Sequence, residues 1–276
     1  MSKSYGLLQG KTGIIFGPLN ENSIAWKIAL RVYEEGGRFV ISNAPVAVER
    51  GEVTKLAEQC GDAPVIKADA TNNKHLDKLF KEYANHFDGI DFILHSIGMS
   101  PNIRKNKPYN DINYDWYEKS LDISALSLHK IITHALPLLN DYASIVALSY
   151  IGAQRIFTKY GDMNDAKALL ESIARNYGAR LGKSGVRVNT VSQSPTRTTA
   201  GGGIKGFDAM YDFADRLAPL GNATGEEAAD YIITLFSDLT RKVTMQNLFH
   251  DGGFSSMGMS NELMELCFED IFNNEE

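Results

Sequence analysis

Seven short β-rich runs alternate with amphipathic stretches along this chain, and few folds accommodate that order. The runs are Thr12–Gly17, Arg38–Asn43, Pro64–Ala68, Ile90–Ser96, Tyr142–Ser149, Val186–Ser192 and Met245–His250. Helical patterns lie near Ile24–Glu35, Val48–Cys60, Asn72–Phe87, Asp115–Leu138, Gly161–Gly182 and Glu226–Asp238. Strands joined by such crossovers pair in parallel, and right-handed connections place helices on both faces. The expectation is an α/β, doubly wound Rossmann-type fold with a seven-stranded parallel sheet flanked by helices. At 276 residues and 43% hydrophobic content the chain can bury one large core. No repeat or low-complexity linker divides it, so 1–276 reads as a single dinucleotide-binding and catalytic domain.

Charge and cysteine usage narrow the function. A net charge of −6 argues against a nucleic-acid surface, which needs clustered cations. No apolar run is long enough to span a membrane, and Met1–Gly10 lacks the apolar block of a signal peptide. Cys60 and Cys267 are isolated thiols, which suits a reducing cytoplasm. The six histidines form no metal-ligand spacing, so no metal is expected.

Two segments break the alternation. Thr196–Ala218 carries Gly201, Gly202, Gly203 and Gly206 after the sixth strand. A mobile substrate lid belongs at such a strand end, about 196–218; a surface loop without a role is the plainer alternative. Ser260–Glu276 reads as a short acidic amphipathic tail.

The first strand-to-helix turn reads Gly17-Pro-Leu-Asn-Glu-Asn-Ser23-Ile24-Ala25, without the second and third glycines of an ordinary dinucleotide turn. Gly17 permits a tight turn. Ser23 and Ile24 open the helix, where free N–H groups and the dipole favour a pyrophosphate. A turn with an N-cap explains Ser23 equally well. After the second strand comes Ser42-Asn43-Ala44, with no cation for a 2′-phosphate, which favours NADH over NADPH. Ala44, Asp69 and Ala70 fall where the adenosine belongs. Asp69 can reach the adenine amine or cap the helix after Thr71–Asn73. His95-Ser96-Ile97-Gly98 ends the fourth strand; Ser96 and Ile97 face the cofactor side, and His95 reads as structural.

The reacting residues lie in Leu148-Ser149-Tyr150 and in Tyr160-Gly-Asp-Met163-Asn-Asp-Ala-Lys167. On one helix, residues seven apart are near-eclipsed and roughly 10 Å apart, so Tyr160 and Lys167 can flank a ribose without touching. Mainstream short-chain dehydrogenases place the lysine four residues after the tyrosine, where this chain has Asn164.

With these motifs the chain resembles the enoyl-[acyl-carrier-protein] reductases, divergent members of the short-chain dehydrogenase/reductase family. It has the Gly17…Ser23-Ile24-Ala25 turn, His95-Ser96-Ile97-Gly98, Leu148-Ser149-Tyr150, Tyr160…Lys167 and Gly185-Val-Arg-Val-Asn189. Pro195-x-Arg197-Thr198, Gly203-Ile-Lys-x-Phe207 and Asp251-Gly-Gly-Phe254-Ser complete the set. The resemblance implies NADH-dependent reduction of trans-2-enoyl thioesters carried on acyl carrier protein, in fatty-acid biosynthesis, by a cytoplasmic homotetramer. It implies that Tyr160 donates to the thioester oxygen, that Lys167 holds the nicotinamide ribose, and that Tyr150 lines the pocket. Thr196, Arg197 and Thr198 would contact the carboxamide and pyrophosphate. Ser100 would face the thioester, while Met163, Phe207 and Met210 form an acyl tunnel or plain core. Arg197 and Lys205 are candidate docking cations for the acidic carrier. Gln193-Ser194 departs from the usual Ala-Gly and puts the local backbone path in question. Two other readings compete: a carbonyl reductase of ketones or 3-oxoacyl thioesters, and a non-catalytic dinucleotide sensor.

Overall fold

The apolar runs become β1 (Thr12–Phe16), β2 (Arg38–Asn43), β3 (Val65–Lys67), β4 (Ile90–His95), β5 (Leu139–Ser149), β6 (Arg187–Gln193) and β7 (Asn247–His250). They form one parallel sheet in the order β3-β2-β1-β4-β5-β6-β7 in the computed structural model, which describes residues 4–199 and 201–267. The chain winds outward from β1 to β3, then returns to β4 on the other side of β1. Phe16 pairs with both Ser42 and His95 in register. The connections from β1 therefore leave the sheet in opposite directions at its carboxyl edge, the topological switch point where open α/β sheets hold ligands.

Both faces of the sheet are covered. α1 (Ile24–Glu34), α2 (Pro45–Arg50) and α3 (Val53–Gln59) follow β1 and β2; α4 (Asn73–Tyr83) follows β3. After β4 come α5 (Pro101–Arg104), α6 (Tyr114–Leu121) and α7 (Ser127–Ala135), then α8 (Met163–Leu181) after β5. α9 (Phe207–Leu217) and α10 (Gly225–Phe236) follow β6, and α11 (Asn261–Cys267) follows β7. Ile14, Phe16 and Ile93 pack against α4, α7 and α8, while Ile15 and Leu94 pack against α1, α3 and α10. Alternate residues of one strand thus enter two cores, which is why these strands read as unbroken apolar runs. Each fully buried Ile, Leu or Phe contributes about 1.5–3 kcal/mol.

The expected Val48–Cys60 helix is two helices. Gly51 separates α2 from α3, and a Cβ there would stand 2.6 Å from the Leu19 carbonyl oxygen. That close approach lets Glu52 N–H donate to Leu19 O at 2.9 Å and tie the break to the β1–α1 turn. The expected Asp115–Leu138 helix is interrupted by a π-helical turn at Asp122–Leu126. The expected 196–218 loop is largely structured, with a 3-10 turn at Gly201–Gly203 followed by α9. In the acidic tail, α11 packs on α9, and the rest lies outside the described residues.

Candidate active site

One cavity of about 1250 Å³ crosses the carboxyl edge of the sheet, from the ends of β2 and β3 to α8 and α9. Small-molecule pockets usually occupy roughly 300–1,000 Å³, so a dinucleotide and a second reactant fit together. At the strand end, Gly17 adopts φ +105°, and a Cβ there would lie 2.0 Å from the Ser96 carbonyl oxygen. A residue with a Cβ would collide there, so glycine permits this close approach of the β1 and β4 ends.

The end of the cavity where an adenosine is expected from the sequence is bordered by Asn43, Ala44, Val46, Ala47, Asp69 and Ala70, none of them cationic. Asn43 is fixed by donating to Pro18 O at 2.8 Å and accepting from Ala44 N–H. The Asp69 carboxylate accepts from the Thr71 N–H and hydroxyl at 2.9 and 2.7 Å. It caps no helix: Asn72 is the N-cap of α4, accepting from Lys74 N–H. In the middle, Ser23 precedes α1, and its oxygen accepts from the Leu19 and Asn20 N–H groups at 3.1 Å each. Its hydroxyl proton and the first N–H groups of α1 remain as donors beside Ser96, Ile97, Thr196 and Thr198, all at the cavity wall. These donors suit a pyrophosphate.

At the reacting end the geometry departs from the helical expectation. Tyr160 closes a 3-10 turn, Thr158–Tyr160, and α8 begins only at Met163. Gly161, at φ +47°, turns the chain between them, so Tyr160 and Lys167 do not share one helix. They still line the same cavity. Asn164 explains the turn: its amide donates to Phe157 O and Gly161 O at 3.1 and 2.9 Å. A lysine at 164 would therefore enter the turn that carries Tyr160. The Tyr160 hydroxyl has no hydrogen-bond partner among the described residues, and its ring meets Tyr150 edge-on at 5.0 Å. Burial pushes both phenols well above their ordinary range, so both are neutral donors at neutral pH. The buried Lys167 donates to Leu148 O at 2.7 Å, and desolvation pulls its ammonium down to about 8.

Several residues that sequence reasoning passed over build the walls. Asp162, 1% exposed, accepts from Ser100 Oγ at 2.6 Å, Ser120 Oγ at 2.8 Å and Asn102 Nδ2 at 3.0 Å. It binds α5 and α6 to the start of α8. Ser100 lines the cavity, and its hydroxyl is engaged there: it donates to Asp162 and accepts from Ile103 N–H at 3.1 Å. In the π turn, Ser124 meets Met99 and lies 3.4 Å from the Met163 sulfur. The signal for these residues was Ser120, Ser124 and Ser127 at helical spacing, all fully buried. His95 is buried as expected, bonded through Nε2 to Ser127 Oγ at 2.8 Å.

Met163, Phe207 and Met210 line the cavity with Ile103 and Ile204, giving it an apolar branch beneath α9. Arg197 does not line it. Its guanidinium lies over the Tyr211 ring at 4.4 Å, within 3.6 Å of Asp208 and 3.5 Å of Asp212. These partners on α9 hold the exposed cation beside a smaller pocket that shares Thr198, Thr199 and Phe207 with the main cavity. Lys205 is exposed. Gln193 and Ser194 are held locally: Gln193 Oε1 accepts from His250 Nδ1 at 2.9 Å, its Nε2 staying buried without a partner among the described residues, and Ser194 Oγ accepts from Ala223 N–H. The β6–β7 pairing continues past them, with Ser194 N–H donating to His250 O.

A parallel Rossmann sheet carrying a tyrosine and a lysine over its switch point defines a nucleotide-dependent reductase of the short-chain type. A family model described as enoyl-(acyl carrier protein) reductase matches residues 17–255. Among curated proteins the chain is similar to the enoyl-[acyl-carrier-protein] reductase [NADH] FabI of Rickettsia bellii, 35% identical over 94% of this chain and 98% of that protein. Its counterpart in Bacillus subtilis is 32% identical over 90% and 96%. The FabI–NADH complex of Alistipes finegoldii superposes with a TM-score of 0.91 and 57% identity, covering 93% of this chain and 92% of that one. The chain belongs to the enoyl-[acyl-carrier-protein] reductase family.

Proposed function

We propose that this chain reduces trans-2-enoyl thioesters of acyl carrier protein to saturated acyl thioesters, with NADH as reductant. One observation carries the reading. An unpartnered, neutral phenol and a buried ammonium face one cavity that leads from a cation-free adenosine end to an apolar branch. Bound NADH supplies the hydride to the β-carbon. The hydroxyls of Ser23 and Thr198 and the backbone N–H of Thr196 hold its pyrophosphate, and Lys167 takes the ribose hydroxyls. Tyr160 donates to the thioester oxygen, where negative charge grows as the hydride arrives, so its bond strengthens in the transition state. Tyr150 supports the Tyr160 ring from its edge. Met163, Phe207 and Met210 receive the acyl chain, and segment 196–218 acts as the lid of a single catalytic domain.

Reduction of a ketone or 3-oxoacyl thioester requires a lysine four residues after the tyrosine and a free serine donor. Asn164 occupies the first position, and the Ser149 proton is committed to Glu171 at 2.8 Å. The test is NADH oxidation with crotonyl thioester against acetoacetyl thioester; faster turnover of the second overturns the assignment. Among the described residues no helix is long and apolar enough to cross a membrane. A cytoplasmic homotetramer completes the proposal, with light scattering on the purified protein as its check.

A further inference from the structure

We propose that Glu171 is a positioning residue for the reduction: its buried carboxylate, one turn beyond Lys167 on α8, keeps Lys167 in its ammonium form and turns the Ser149 proton away from the cavity. Glu171 is 4% exposed and accepts from Ser149 Oγ at 2.8 Å and Gln154 Nε2 at 3.4 Å. Ser149 and Gln154 bracket Tyr150, so one carboxylate fixes both sides of that residue. Lys167 itself is bonded to a neutral acceptor, the Leu148 carbonyl. Burial favours its free amine, and the field of Glu171 opposes that tendency. Burial also raises the Glu171 carboxyl above its ordinary value, against the bonds from Ser149 and Gln154 and the charges of Arg175 and Lys167, which favour the anion. The other groups near the pair do not replace it. His95, from β4, is held neutral by burial, with its pKa down to about 3. Tyr150 and Tyr160 are neutral phenols. Arg175, half-exposed and 4.0 Å away, touches Glu171 from the solvent side.

The second consequence is chemical selectivity. Ser149 lines the cavity, yet its proton is spent on Glu171, so Ser149 presents only lone pairs to a reactant. Tyr160 is left as the donor to a developing oxyanion. On this proposal the charge that holds Lys167 protonated lies behind the wall rather than beside the reactants.

The role assigned to Lys167 rests on the reductase reading, but its ionisation is measurable without substrate or cofactor. The experiment is a titration of ligand-free protein labelled with ¹³Cε-lysine, with Lys167 assigned by its loss in Lys167→Arg. Glu171→Gln should move the Lys167 titration about one pH unit downward, with Glu171→Asp close to wild type. The alkaline limb of NADH affinity should move by the same amount. A folded Glu171→Gln protein whose Lys167 titrates as in wild type overturns the proposal. If Glu171→Gln does not fold, the ¹³C carboxyl resonance of Glu171 in the wild type decides. An ionised carboxylate at pH 7 supports the role, and a neutral acid removes it. Absence of enoyl reduction with this titration intact would instead count against the reductase reading.

Discussion

Two buried polar assemblies meet at the start of α8, and they are satisfied to different degrees. Around Asp162, three side-chain donors converge on one carboxylate. On the other side, Tyr150 Oη is buried with no partner and the Tyr160 hydroxyl has none among the described residues. A buried polar group left unpaired costs roughly 1–3 kcal/mol, so the first assembly holds the fold and the second waits for a ligand. The contrast separates scaffold from chemistry only where the unpaired group also lines the cavity, as Tyr150 and Tyr160 do and His95 does not.

Substitution should pull the two apart. Tyr160→Phe should lower kcat for enoyl reduction by about 10²–10³-fold, the range for loss of an oxyanion donor, with NADH binding nearly intact. Steady-state kinetics with fluorescence titration of NADH checks this, and an unchanged kcat breaks the comparison on the reacting side. Asp162→Ala should leave Ser100 Oγ without an acceptor, with Ser120 and Asn102 falling back on Trp116 O and Asn113 O, and cost about 2 kcal/mol of stability, read by urea unfolding. Stability equal to wild type would show that the hub is no scaffold.

His95 sharpens the contrast on the β4 side, because its Nδ1 is also buried without a partner. Its folded pKa, about 3, lies below the ordinary value of about 6.5, so the folded state favours the neutral ring. That contribution is complete above pH 6.5 and declines as pH falls toward 3, by about 1.4 kcal/mol per pH unit. Between pH 6.5 and 5 the loss is roughly 2 kcal/mol. Urea unfolding of wild type and His95→Asn across this window should give a shallower slope in the variant.

Two smaller effects follow. The adenosine end has no cation for a 2′-phosphate, so NADPH should bind about tenfold more weakly than NADH, measured by fluorescence titration. Arg197→Ala should change NADH affinity less than about twofold, since its side chain is exposed and engaged by Asp208 and Asp212 on α9 in weak surface ion pairs. A larger loss would return Arg197 to the nucleotide site.

Sequence alone determined the sheet and most of the cavity, because both rest on local patterns. Apolar runs buried on two faces read as parallel strands, and strand ends name the ligand edge, so Gly17, Ala44, Asp69, Ser96 and Tyr150 fall there by position. Tyr160 and Lys167 were legible as a pair, although the helix imagined between them was not. Only tertiary structure decided the rest. Gly161 takes a positive φ because Asn164 gathers the turn, and the Ser100 hydroxyl is engaged because Asp162 lies 62 residues away in sequence but 2.6 Å away in space. Arg197 points outward because α9 brings two carboxylates and a ring to it. Periodicity reports which face of an element is buried; it carries no record of which distant polar partner will be there, and that partner sets the direction of each donor.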